Sequence, residues 1–521
     1  MASRTPFLDQ LWQQLHREDV CFSLIFLFLA IYLFKLMNSR RIRLNLPPSP
    51  PRFPIIGNFC QIGSLPHHSI KAISEKYGPL MLLHFGSTPT LVVSSADMAR
   101  EMFTTHDIVF SNRPRTLAAN ILSYGCTDVG FSPYGDYWRQ ARKICVVELL
   151  SLNRVNSFQL VRDEEVTEAI ESIRRTSLSG SLVNLSKLLS VLSANIVSRC
   201  VIGRKVNEVG ENTKLGKLAN KMTKEINEFG FSDRFPYFYL GYLIDILTGF
   251  VARLKETSKE FDVFLDQVID EHMTLGNSND EKLVDNHKKN FLHILLQLQQ
   301  SNSLDFEFTR DNMKAILLDM FVAGIDTTST TLEWTMAELM RNQNILKKAQ
   351  DEVRSVVGKK SKVEGNDVNM MNYLKCTIKE SLRLHPPAPL LVPRETSKAI
   401  NLGGYDIPPK TSVIINAIKI QKDPNIWDRP EEFMPERFEE NLVDYRIQDF
   451  QFIAFGGGRR QCPGLRFGVT SIEYILASLL YWFDWRMLEG KRGEDLDMTE
   501  TNGLTVHKKI PLHLVAIPYS P

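Results

Sequence analysis

The stretch Phe455-Gly456-Gly457-Gly458-Arg459-Arg460-Gln461-Cys462-Pro463-Gly464 joins three consecutive glycines and two arginines to a single cysteine. Cys462 stands before Pro463 and an apolar run from Leu465. That order predicts a helix starting just past the thiol, with N-terminal partial positive charge that favours a thiolate. Glycine carries no Cβ, so the backbone can come close to a flat partner, and the two arginines offer cations to an anionic one. A haem has those properties: its face needs close approach, its iron accepts an axial thiolate and its propionates need a cation. The same residues also fit a glycine-rich loop beside a buried free cysteine.

A second candidate group lies mid-chain. Ala323-Gly324-Ile325-Asp326-Thr327-Thr328 places an acid and two hydroxyls inside a pattern where Met313, Ile316, Leu317, Met320 and Phe321 recur at helical spacing. Thr309 can cap that helix, which runs to about Arg341 and would span roughly 45 Å. Gly324 costs about 1 kcal/mol against alanine and the hydroxyls compete for backbone carbonyls, so the helix is expected to loosen there. Such a groove, with Asp326 beside Thr327, can deliver protons; a polar seam filled by water has the same residues. Trp138 and Arg142 fall one turn apart, so an indole N–H and a guanidinium can converge on a carboxylate, although a packed Trp beside a surface Arg looks alike in sequence. Glu380 and Arg383 form an i, i+3 ion pair on a helix stopped by His385-Pro386-Pro387, and Pro435-Glu436-Arg437-Phe438 can bring a second guanidinium to Glu380.

The spacing F-x-x-G-x-R-x-C-x-G, met by Phe455, Gly458, Arg460, Cys462 and Gly464, resembles the haem-ligand loop of the haem-thiolate monooxygenases, the cytochrome P450 superfamily. Ala454 stands where most plant members have proline. The other groups occur in the family's order: A-G-x-D-T-T resembles its oxygen-activation motif, W-x-x-x-R its propionate-binding pair, and E-x-x-R with P-E-R-F its buried structural network. The resemblance implies haem b, iron protoporphyrin IX, with Cys462 as the metal ligand. It implies that Phe455, Arg460 and Gly464 belong to the haem loop, that Trp138, Arg142 and Arg394 serve the propionates, and that Asp326 and Thr327 are catalytic. It turns Leu390 to Val392 and Asn502-Gly503-Leu504-Thr505 towards substrate, and makes His385 a helix-end residue rather than a ligand. The plant microsomal class acting on specialised metabolites is the most similar. Membership of that class implies insertion of one oxygen atom from O2 into an apolar terpenoid, phenylpropanoid or alkaloid-like molecule, with electrons from NADPH through NADPH-cytochrome P450 reductase. The alternatives are a non-oxygenating reaction on the same fold, such as aldoxime dehydration, and a haem-binding protein without turnover.

These groups need a large frame. The chain has 521 residues, 43% hydrophobic and 23% charged, with no sharp internal linker, which predicts one large domain. Alternation around Gly86 and Pro89 predicts a hairpin over Met81 to Val93, and helical periodicity sets in from about Asp136. The fold class expected is mainly α with small β-sheets, the cytochrome P450 fold. Between about Leu152 and Asn302 the signal is helical, apart from an aromatic stretch, Phe229 to Tyr242, that suits lipid contact, a cavity entrance or plain core; Gly276 to Asn290 reads as a surface loop. A net charge of +2 leaves no footprint for nucleic acid, and the seven cysteines show no C-x-x-C pair, as expected in a reducing compartment.

Val20 to Phe34 is fifteen uncharged residues, eleven of them Val, Leu, Ile or Phe, and the run extends past Lys35 to Met37. Eighteen helical residues reach about 27 Å, enough for a thin bilayer core. No basic leader or small-residue cleavage site marks a signal peptide. Lys35, Arg40, Arg41, Arg43 and Arg52 lie after the run while Arg4 and Arg17 precede it, which predicts a single-pass anchor with the bulk of the chain cytosolic, at the endoplasmic reticulum membrane. The organisation expected is 1–37 with the anchor at about 20–37, a basic and proline-rich hinge at 38–58, and the catalytic domain at 59–521; the prolines of the hinge favour a stiff polyproline-II strut.

Overall fold

The computed structural model describes residues 22–23, 26–32, 44–205, 214–226, 228–276, 289–301, 304–440, 443–445, 450–488 and 492–520. The chain divides into two compact units, Met1–Leu46 and Pro47–Pro521. In the first, residues 26–32 are helical and exposed, and the rest of the expected span at 20–37 lies largely outside the described residues.

The second unit is mainly helical. Its principal helices are α1 (Pro66–Tyr77), α2 (Ala96–Thr104), α3 (Leu117–Leu122), α4 (Asp136–Lys143), α5 (Gln159–Leu178), α6 (Leu185–Ile202), α7 (Phe250–Gly276), α8 (Arg310–Arg341), α9 (Gln343–Val357), α10 (Asn372–Leu384) and α11 (Leu465–Trp482). The strands are β1 (Leu80–Phe85), β2 (Thr88–Val93), β3 (Val183–Asn184), β4 (Arg394–Glu395), β5 (Ile400–Leu402), β6 (Tyr405–Ile407), β7 (Ser412–Ile415), β8 (Phe483–Arg486) and β9 (His513–Pro518). They form three small sheets in the orders β1-β2-β7-β4, β3-β9-β8 and β5-β6. The expected hairpin is present: Leu80 to Phe85 pairs antiparallel with Val93 to Thr88 around a Gly86-Ser87 turn. Pro89 is not in the turn but within β2, ahead of Thr90, where the parallel ladder to β7 begins, so its missing N–H costs that ladder nothing. The proline-rich stretch from Pro47 belongs to the larger unit, and the Pro48 carbonyl accepts the Leu82 N–H. Helices α1, α2 and α3 precede Asp136, earlier than periodicity alone suggested.

Helix α8 organises the core. The Thr309 hydroxyl accepts from the Asn312 N–H and the Asn312 side chain accepts from the Thr309 N–H, so two orphan donors of the first turn are satisfied reciprocally. Thirty-two residues then run unbroken to Arg341, about 48 Å. Helices α6, α10 and α11 pack around it, which is why residues such as Met313, Leu317, Leu332 and Leu339 are fully enclosed. The loosening expected at Ala323 to Thr328 does not break the helix. Its hydroxyls bond one turn back without displacing the ladder: Thr327 Oγ1 donates to Ala323 O at 2.7 Å and Ser329 Oγ to Ile325 O at 3.1 Å. Gly324 serves the crossing with α6, since a Cβ there would sit 3.1 Å from Val197 Cγ2. Among the described residues, α6 and α8 are long and apolar enough to cross a membrane, but most of each is buried inside the domain. They are core helices.

Candidate active site

The cysteine loop is closed by its own backbone, the Cys462 N–H donating to Phe455 O at 2.9 Å, and α11 begins three residues beyond the sulfur. The Phe455 ring meets Tyr445 edge-on at 5.3 Å. Gly458 has φ +64°, and a Cβ there would lie 2.3 Å from Asp107 Oδ1, so glycine is required on both conformational and steric grounds. Cys462 has accessible surface although protein surrounds it on all sides, which places the sulfur at an enclosed space rather than bulk solvent. Burial raises its pKa, while the backbone N–H groups of Gly464 and Leu465 and the charge of Arg142 pull it down. Burial wins, so the helix terminus alone does not make the thiolate; a metal ligated by the sulfur deprotonates it outright.

Around this loop the fold gathers more guanidinium charge than carboxylate. Arg142 donates to Gln461 O at 2.6 Å, Arg394 to Gly457 O at 2.7 Å, and Arg460 to Ser111 O at 2.8 Å and Val129 O at 3.1 Å. Arg113, which no motif flagged, donates to Gly130 O, Val392 O and Pro393 O at 2.9, 2.6 and 2.6 Å. Burial and mutual repulsion lower these cations: Arg394 to about 10 through burial and Arg142, Arg460 to about 9 through burial, Arg394 and Arg142. Asp107 lies 4.0 Å from Arg394 but also pairs with Arg459. Asp128 is engaged with Asp319 of α8, and burial pushes both carboxyls up, so this acidic pair balances the arginines poorly. A buried surplus of positive charge beside an enclosed thiol matches a planar dianion with a thiolate-seeking metal, so the donor set fits a haem. Trp138 departs from expectation: its indole N–H donates to Val129 O at 3.0 Å and is not free for a carboxylate, because the ring is buried beneath Arg460, whose guanidinium carbon stands 4.1 Å from the ring centroid.

The acid and hydroxyl of α8 acquire a partner that the sequence did not indicate. Asp326 is 4% exposed, and its Oδ1 lies 3.1 Å from Nε2 of His507 while Oδ2 has no partner. His507 Nδ1 lies 2.7 Å from Thr330 Oγ1. Burial alone would lower the His507 pKa, but the hydrogen bond and charge of Asp326, with Glu333 behind, outweigh it and hold the imidazolium above its ordinary value. The only sequence signal for this pair was the nearness of His507 to the C-terminal turn. The Thr327 hydroxyl spends its proton on Ala323 O, leaving its oxygen lone pairs free.

Glu380 accepts from Arg383 Nε and Nη2 at 2.7 and 2.8 Å and from Arg437 Nε at 3.0 Å, all three residues being buried, so the shared network forms as expected. His385 caps α10, stacks on Trp334 and lies 2.7 Å from Glu338, consistent with a structural residue. A cavity of about 250 Å3 is bounded by Leu390, Leu391, Asn502, Gly503 and Leu504, the segments expected to face substrate, and also by Phe229. Phe229 thus serves the cavity, while Tyr237 and Tyr239 of the same aromatic stretch are almost wholly exposed.

Residues 47–515 match the cytochrome P450 family. The chain is 50% identical to the phenylacetaldehyde oxime monooxygenase of Prunus mume, with both proteins covered over their full length. It is 50% identical to cytochrome P450 71A1 of Persea americana, over 95% of this chain and 98% of that one. It is 45% identical to the desmethylyatein synthase of Sinopodophyllum hexandrum, over 96% and 99%. A zebrafish cytochrome P450 solved with abiraterone shares the fold, with a TM-score of 0.69 at 24% identity over 87% of this chain and all of the other. The chain therefore belongs to the cytochrome P450 family, haem-binding enzymes, and is a monooxygenase by kinship with its plant relatives.

Proposed function

We propose that this is a membrane-anchored haem-thiolate monooxygenase of plant specialised metabolism, acting on a small apolar molecule with electrons passed from NADPH by a flavin-containing reductase. The observation that carries the reading is the enclosed Cys462 thiol set among the buried Arg113, Arg394 and Arg460 and the half-buried Arg142, with few carboxylates to balance them. A bound haem b supplies an iron that activates dioxygen, and thiolate ligation favours O–O cleavage. Cys462 holds the metal; Arg142, Arg394 and Arg460, with Arg113 behind them, hold the propionates; Trp138 orients Arg460 by stacking rather than by donating. Asp326, paired with His507, moves protons along the α8 groove, and Thr327 orients the water or hydroxyl that receives them.

The segment at 20–37 anchors the chain in the endoplasmic reticulum membrane with the catalytic unit cytosolic, and the exposed Tyr237 and Tyr239 add a lipid contact. Reduction under carbon monoxide tests the ligand: the wild-type protein should show the thiolate-type Soret shift, and persistence of that shift in Cys462→Ala overturns the assignment. One relative's name joins an oxime to monooxygenation, so oximes belong beside terpenoids, phenylpropanoids and alkaloids in the substrate panel. A product formed without O2 and NADPH would point instead to dehydration.

A further inference from the structure

The cavity bounded by Leu390, Leu391 and Leu504 has one wall of different character. Arg234 is the only arginine or lysine among its described lining residues. Its guanidinium carbon stands 3.7 Å from the ring centroid of Phe229 and 5.2 Å from those of Phe59 and Phe85. Aromatic faces attract a cation, yet they engage its π-faces and leave the in-plane N–H donors unfilled. No described residue accepts a hydrogen bond from those donors or lies within ion-pair distance, and Nε is buried without a partner. The adjacent Asp233 acts on it only at a distance, because its carboxylate accepts from the backbone N–H groups of Leu117 and Gly230. Burial lowers the Arg234 pKa to about 10, which leaves the side chain charged at neutral pH.

The placement is fixed by the main chain. Ser87 N–H and Ser87 Oγ both donate to Arg234 O, at 2.9 and 3.1 Å, and Thr88 Oγ1 donates to Asp233 O at 3.0 Å. A Cβ at Gly86 would lie 2.6 Å from Arg234 O, so the hairpin turn can carry only glycine at this contact. A charged donor held rigidly at the wall of a mainly apolar cavity, whose other polar lining residues are His67, Thr90, Ser412 and Asn502, is preorganised for an acceptor that arrives with the ligand, since a half-buried charge without an acceptor is unfavourable in the empty site.

We propose that the substrate of this cavity is not a pure hydrocarbon but an apolar body ending in an oxygen acceptor, a carboxylate or carbonyl, which Arg234 binds through its N–H fork. This rests on reading the cavity as the substrate site of the monooxygenase. The test uses three probes of one skeleton, 3-phenylpropanoate, its methyl ester and propylbenzene, titrated by the substrate-induced shift of the haem Soret band in wild type, Arg234→Met and Arg234→Lys. The carbon monoxide spectrum of each protein is recorded first, so loss of the haem-thiolate reading is seen separately from loss of this one.

Wild type should bind the ester or the carboxylate about tenfold more tightly than propylbenzene. Arg234→Met, which keeps an apolar body of similar length, should erase that preference while leaving propylbenzene binding unchanged. Tighter binding of carboxylate than ester identifies an anionic substrate; the reverse identifies a neutral carbonyl. Arg234→Lys keeps the charge without the fork and should lie between. Equal affinity for all three probes in wild type overturns the proposal, as does an unchanged preference in Arg234→Met. A uniform loss across probes also overturns it, since Arg234 would then merely shape the wall. If Arg234→Met loses its haem, the wild-type ranking and Arg234→Lys still decide.

Discussion

At the scale of the residue, the Asp326–His507 contact turns an acid in a helix groove into a paired acid. The groups facing His507 are Asp326, Thr330 and Glu333, and the acids hold its imidazolium above the ordinary histidine value. The pair is therefore intact below that ordinary value and is lost as pH rises through the raised value, when Asp326 loses its counter-ion. Coupling of NADPH consumption to product should fall on the alkaline side, with peroxide rising, while His507→Phe should be poorly coupled at every pH and lack that inflection. Identical pH profiles in wild type and His507→Phe would remove His507 from proton delivery. Thr327→Val should keep haem binding and NADPH consumption yet lose product on the order of 10²-fold, the low end for a positioned proton-transfer group because water can enter the groove. A buried hydroxyl of purely structural importance would instead cost about 1 kcal/mol of stability and leave the peroxide-to-product ratio unchanged.

At the scale of the element, α10 is tied to the segment carrying Arg437 by one carboxylate. Glu380 receives two guanidiniums and the Met434 N–H, and Arg383 reaches onward to Gln421 O and Pro430 O, so a helix and two loops share a single buried charge centre. Removing one partner from such a network leaves uncompensated charge in the core and costs about 3–5 kcal/mol. Glu380→Gln should accordingly lower the urea midpoint sharply and reduce haem content without altering the Soret position of the fraction that folds. A denaturation midpoint within error of wild type would show the network to be dispensable. Helix α8 makes the complementary case. Gly324 weakens it as an isolated helix, yet the residue is where α6 crosses, so packing rather than propensity decides the position.

At the scale of the whole molecule, the division between Leu46 and Pro47 predicts that the larger unit folds alone. A chain starting at Pro47 should show an unaltered carbon monoxide spectrum and appear in the soluble fraction after carbonate extraction, whereas the full chain stays with the membrane. Retention of the shortened chain in sealed microsomes before extraction, and its loss on replacing Tyr237 and Tyr239 with serine, would assign the residual contact to the exposed aromatic stretch. A shortened chain without the thiolate spectrum would show the first unit to be needed for folding.

The sequence by itself determined what depends on local spacing and residue type. The Thr309 cap, the run of α8 to Arg341, the β1–β2 hairpin, the cysteine loop and the Glu380 network arise from periodicity, capping chemistry and motif distance, all of which act over a few residues or carry a recognisable pattern. Only the tertiary structure decided which polar groups meet across the chain. Asp326 and His507 are far apart in sequence, and Arg113 joins Arg142, Arg394 and Arg460 from a segment that no motif marked; neither contact leaves a local trace, whereas the other three arginines were expected from the family resemblance. The same cause governs the details that local spacing leaves open. An indole N–H is as ready to donate to Val129 O as to a propionate, and a thiol at a helix start is raised or lowered according to how deeply the rest of the fold buries it. Long-range packing sets desolvation and partner choice, and those two quantities are absent from any short window of residues.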